Sequence, residues 1–142
     1  MRGKSIDELK VGEAAEFSKT VSESDIYLYA GITGDFNPAH INETYAQKTF
    51  FKERIAHGML TAGFISAVLA NQLPGPGTIY LKQELKFLAP VHIGDTVTAR
   101  VEVSEIITEK KQVRLKTTCT NQEGIQILDG EAVISPPKPP KK

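Results

Sequence analysis

The chain has 142 residues, 40% hydrophobic and 24% charged, the composition of one globular domain with its own core. Lysine plus arginine and aspartate plus glutamate balance at 17 each, so no global field recruits nucleic acid or an anionic membrane. The single cysteine, Cys119, excludes an internal disulfide and fits a reducing compartment. The segment Met1 to Lys10 holds no apolar signal-peptide core, so the expected location is the cytoplasm.

Glu13 to Val21 reads as a strand leading out of a Val11-Gly12 turn. Ser22-Glu23-Ser24-Asp25 fits a capping box and opens a short helix carrying Ile26, Tyr29 and Ala30, with Gly31 as its expected terminal glycine. Thr33 to Pro38 is turn chemistry, and Asn42 can cap a second short helix through Tyr45 and Ala46. Phe50 to Ile55 reads as a loop. The run from Leu60 to Leu73 is apolar on nearly every face, which predicts a helix inside the core, stopped by Pro74-Gly75-Pro76-Gly77. At roughly 15 residues it spans about 22 Å, too short for a bilayer.

Beyond it the period changes to two. Ile79, Leu81, Leu85 and Phe87 alternate with polar neighbours, as do Val97 to Val103 and Val113 to Cys119. Ile125 to Ile134 completes the set, with an expected irregularity at Asp129-Gly130. Short turns join these strands, which predicts a four-strand antiparallel meander, with Glu13 to Val21 as a fifth strand. One long buried helix against one apolar sheet face gives an α+β domain over residues 1–134. The remainder, 135–142, is expected to be a flexible Pro- and Lys-rich tail.

Two stretches carry chemistry. Gly34-Asp35-Phe36-Asn37-Pro38-Ala39-His40 places an acid, an amide and an imidazole just ahead of the buried helix, and His57-Gly58-Met59 stands at its head. Free Asp and His side chains have pKa values near ~3.9 and ~6.5, so both types can accept a proton at neutral pH. Asp-x-Asn-Pro is equally ordinary turn chemistry, because Asp and Asn cap backbone groups and Pro fixes φ. Three scattered histidines and one cysteine offer no metal-ligand spacing, and no glycine-rich phosphate loop or nucleophile elbow is present. Cys119 falls on the apolar face of its strand and reads as inert packing, and His92 reads as a solvated turn residue.

Tyr29 to Val103 resembles the (R)-specific enoyl-CoA hydratases of the MaoC-like dehydratase group. The acid-x-Asn-x-x-His signature stands as Asp35-Phe36-Asn37-Pro38-Ala39-His40, and the histidine-glycine pair as His57-Gly58. Leu73 to Leu81 and Pro90 to Asp95 follow in the same order. The resemblance implies a hot-dog fold, a five-stranded antiparallel sheet wrapped around the long helix. It implies reversible syn addition of water to a trans-2-enoyl-CoA thioester without a cofactor or metal, in a homodimer. Asp35 and His40 would grip and deprotonate the water, Asn37 would orient water or substrate, and the Gly58 N–H would meet charge on the thioester oxygen. His57 would contact the ligand or cap the helix. Ser66 would stand in the substrate site and hydrogen-bond Asp35, and Leu69 to Thr78 would set acyl depth. A dehydratase acting on acyl-carrier-protein thioesters is the alternative within this architecture. A non-catalytic acyl-CoA-binding protein is the alternative outside it.

Overall fold

The computed structural model describes residues 2–140 of the chain. β1 (Ala14–Thr20) is followed by three helices, α1 (Glu23–Thr33), α2 (Pro38–Ile41) and α3 (Glu43–Gln47), and then by the long α4 (Gly58–Asn71). Four strands complete the fold: β2 (Ile79–Phe87), β3 (Thr96–Ile107), β4 (Gln112–Thr120) and β5 (Gln126–Ser135). All five strands pair antiparallel in one sheet, in the order β1-β3-β4-β5-β2.

That order corrects the meander expectation. β3, β4 and β5 do run as consecutive neighbours, but β2 crosses the sheet to pair with β5 at the far edge. Alternation marks a strand's two faces and says nothing about its neighbour. The expected irregularity at Asp129-Gly130 is also absent, since both residues sit in regular register with Lys86 and Leu85. The shifts lie instead between Tyr80 and Lys82, Val103 and Glu105, and Cys119 and Thr120. Gly130 serves a close approach, because a Cβ there would stand 1.9 Å from the Glu84 carbonyl oxygen.

The sheet curls around α4, which is the hot-dog arrangement. From the helix, Thr61, Phe64, Ile65, Val68 and Leu69 are buried against Val97, Ala99, Val101 and Val103 of β3 and Val113, Leu115 and Cys119 of β4. Each fully buried aliphatic or Phe side chain contributes about 1.5–3 kcal/mol, so this seam is the main source of stability. Burial is not complete on all faces as the sequence suggested. Met59, Gly63, Ser66 and Ala70, spaced as one helical stripe, stay exposed or half-buried. Ile79, Leu81 and Phe87 of the edge strand β2 are likewise exposed, at 60%, 48% and 54%. At the C-terminus β5 takes in Ser135, which pairs with Ile79, and Pro136 and Pro137 are buried, with Pro137 against Gly77. So the part of the expected tail at 135–137 packs on the domain, while Lys141 and Lys142 lie outside the described residues.

Candidate active site

The Asp35 turn is built by caps. Ser22 and Asp25 form the capping box of α1. The helix runs past Gly31 and ends at Gly34, whose φ of 83° is left-handed, so Gly34 rather than Gly31 is the terminal glycine. The Thr33 hydroxyl donates to the Tyr29 carbonyl at 2.8 Å and accepts the Asp35 N–H at 3.2 Å. Asp35 Oδ1 then accepts the Asn37 N–H at 3.2 Å, and Asn37 Oδ1 accepts the Ala39 N–H at 3.0 Å as the cap of α2. With Pro38 as its first residue, α2 needs no donor there. Asn37 therefore uses one lone pair of its carbonyl oxygen on the helix and keeps both Nδ2 hydrogens unpaired within the turn. The turn reading holds, since these side chains cap the backbone on both sides of Asp35.

One turn later His40 Nδ1 lies 2.7 Å from the Ile55 carbonyl oxygen. A carbonyl only accepts, so Nδ1 carries the hydrogen and the neutral ring keeps its lone pair on Nε2. Beneath it lies His57, 2% exposed, with ring centroids 3.9 Å apart at 30°. The Asp35 carboxylate and one nitrogen from each ring all fall within 4.8 Å of one another. Two of the four ring nitrogens are on backbone carbonyls, leaving His40 Nε2 and His57 Nδ1. The fold thus brings an acid and two imidazoles into a group that could hold a metal ion, which their scattered positions in the sequence did not suggest.

Gly58 is the first residue of α4, so its N–H has no acceptor within the helix. It is exposed, and the positive end of the helix dipole lies there. A Cβ at this position would stand 2.6 Å from the Phe87 ring, so any larger residue would displace that ring. Asp35, His40, His57, Gly58, Met59 and Phe87 enclose a cleft of about 250 Å³. An apolar cavity of about 420 Å³ adjoins it across His40, His57, Gly58 and Phe87, lined further by Phe50, Phe51, Leu88 and Leu128.

Asp35, His40, His57 and Gly58 thus converge, while other expected positions do not. Ser66 lies in a separate groove with Met59, Tyr80 and Leu81 and makes no hydrogen bond to Asp35 within the chain. It faces outward on the uncovered stripe of α4. His57 makes no side-chain cap to the helix. Leu69 and Leu73, expected to set acyl depth, are core residues at 1% and 4% exposure. The cavity wall comes instead from Phe50 and Phe51 in the loop and from Phe87 and Leu88 at the end of β2. The adjacent aromatics Phe50 and Phe51 in a loop were the available signal. His92 is half-buried and pairs with Ile55 in a short bridge, with Glu53 3.4 Å from its Nε2. Cys119 is fully buried, its Sγ 3.7 Å from the Thr61 carbonyl oxygen, and burial pushes its thiol up to about 12.

The profile of the MaoC like domain matches residues 8–124, from the first turn through β4. The chain belongs to the MaoC-like dehydratase family. Within it, the chain is 60% identical over 131 residues to the (R)-specific enoyl-CoA hydratase of Rhodospirillum rubrum, covering 92% of this chain and 90% of that protein. It is 49% identical to the 3-hydroxybutyryl-CoA dehydratase of Methylorubrum extorquens, over 93% of this chain and 83% of the relative. Among solved structures, the unliganded R-hydratase PhaJ1 of Pseudomonas aeruginosa superposes with a TM-score of 0.91 at 44% identity, covering 99% of this chain and 97% of that one.

Proposed function

We infer that this MaoC-like protein is an (R)-specific enoyl-CoA hydratase, a hydro-lyase that adds water reversibly across a trans-2-enoyl-CoA to give the (R)-3-hydroxyacyl-CoA. One observation carries the reading. The Asp35 carboxylate and the His40 imidazole meet at the mouth of an apolar cavity, beside the open first turn of α4. This occurs in a chain 60% identical to a hydratase of that name.

In the proposed reaction the enoyl carbons lie over the pair and the thioester oxygen faces Gly58. Asp35 and His40 hold one water between them and take a proton from it as its oxygen bonds C3. Electron density moves to the thioester oxygen, where the Gly58 N–H and the helix dipole stabilise it. The pair then returns a proton to C2 on the same face, and both groups end as they began. An oxyanion donor of this kind is worth about 10²–10³-fold and each acid–base group about 10²–10⁴-fold. Water, acid and base balance the reaction, so we assign no cofactor to it. The cytoplasm remains the proposed location, which a lone cysteine without a disulfide partner in the chain fits.

The same reading makes the protein a homodimer. β2 is an edge strand whose Ile79, Leu81 and Phe87 are exposed, and the uncovered stripe of α4 lies beside it. The opposite edge, β1, carries Glu16, Ser18 and Lys19, the polar edge of a strand kept from pairing. Light scattering is expected to give about twice the 15.5 kDa chain mass. The deciding experiment is loss of enoyl absorbance with crotonyl-CoA and octenoyl-CoA, followed by chiral analysis. An (S) product, or no turnover of either, overturns the assignment.

A further inference from the structure

We propose that His57 is the positioning residue of this site, a neutral imidazole that fixes the spacing of Asp35 and His40 by bonding one and stacking under the other. The inference rests on the function proposed above and goes beyond it, because His57 need touch no substrate atom. Three observations support it. Its Nε2 lies 3.0 Å from the Asp35 backbone carbonyl, so Nε2–H donates across 22 residues of chain to the turn that carries the acid. Its ring lies against His40 at 3.9 Å and, on another side, against Tyr29 of α1 at 4.7 Å. Its Nδ1 is buried and is the one buried side-chain nitrogen or oxygen without a partner among the described residues.

Those facts make two stacked imidazoles inequivalent. His40 offers a free lone pair beside the cleft. His57 has its only hydrogen committed to Asp35, and a second hydrogen on Nδ1 would be a buried donor with no acceptor. The titratable groups facing His57 are Tyr29, Asp35 and His40, and none supplies that acceptor. Burial, outweighing the opposing hydrogen bond to the Asp35 carbonyl and joined by the nearby His40, pushes the His57 pKa below its usual value. A neutral neighbour lets His40 accept a proton without repulsion from beneath. The backbone bond meanwhile holds the Asp35 turn at one distance from it.

Two substitutions separate the contacts in the full-length protein. His57→Phe keeps a ring under His40 and removes the donor, whereas His57→Gln keeps a donor and removes the ring. Ring nitrogen spectra without substrate are expected to show wild-type His57 as the neutral Nε2–H tautomer from pH 8 down to 6.5. Both variants should move the His40 ring resonances. With enoyl-CoA, kcat is expected to fall about 10–100-fold, as for a small misplacement of reacting groups, with KM within about threefold. The proposal is overturned by a wild-type His57 ring protonated at Nδ1, or by His40 resonances and kcat that do not change in the folded variants. A rise in KM alone also overturns it, since that would make His57 a substrate contact. Because the spectra need no substrate, a wild-type protein that fails to hydrate enoyl-CoA refutes the functional reading and leaves this test intact.

Discussion

At its leading end α4 presents Gly58 and Met59 to a cleft, whereas at its trailing end Leu69 and Leu73 are sealed in the core. The hydrogen bonding differs in the same sense. The trailing carbonyls are closed by the chain itself, with Gln72 and Leu73 N–H groups on Val68 and the Gly75 N–H on Leu69, at 2.9 to 3.0 Å. The leading N–H of Gly58 has no such partner, and no side chain caps the helix start. A helix must leave polar groups unpaired at both ends. Here the Val68 and Leu69 carbonyls are met by the chain itself, whereas the Gly58 N–H opens on the cleft where the proposed function places the thioester oxygen.

Substitutions at the two ends should therefore fail differently. The largest effect is expected from the groups that face the leading end. Asp35→Asn and His40→Gln should each reduce hydration by about 10²–10⁴-fold, with melting temperatures close to wild type. Turnover near wild type in both would break the contrast. Gly58→Ala comes next. Its methyl would meet the Phe87 ring, displacing the wall beside the N–H, and kcat is expected to drop about 10–100-fold. At the trailing end, Leu69→Ala should cost about 2–5 kcal/mol in denaturant midpoints, because a 1% exposed side chain leaves a cavity. The kcat of its folded fraction should stay within about a factor of two, as expected for a distant site.

The smallest effect is a pH dependence of stability. Folding lowers the His57 pKa below 6.5. As pH falls through that value the unfolded chain takes the proton first, so stability is full above about 6.5 and declines below it. Denaturation midpoints should be lower at pH 5 than at pH 7, and His57→Phe should remove part of that slope. A slope unchanged in the variant would show that His57 is not the group responsible.

The strands were legible because alternation is a local property, and β3 and β4 bury the residues their period assigns to the core. The same rule misled at β2. Its Ile79, Leu81 and Phe87 alternate correctly but stay exposed within the protomer, since no period states what covers a face. At the turn, residue types and spacing singled out Asp35, Asn37 and His40. They did not show that Asn37 Oδ1 is used as a cap, nor that the Ile55 carbonyl, 15 residues on, orients the His40 ring. Ser66 rests on the family resemblance alone, and within the protomer it lines another groove, because the sequence does not specify the rotation of its helix.

The amino-acid sequence by itself determined the elements, the buried rod that the sheet wraps, and the acid–amide–imidazole turn placed before it. Those depend on neighbours within a few residues, where propensity, capping and periodicity act. Only the tertiary structure decided that β2 crosses to the far edge, that the Phe87 ring closes on Gly58, and that His57 lies beneath His40 with its Nε2 on the Asp35 carbonyl. Each of these joins residues far apart in the chain, and long-range contact is settled by how the whole core packs.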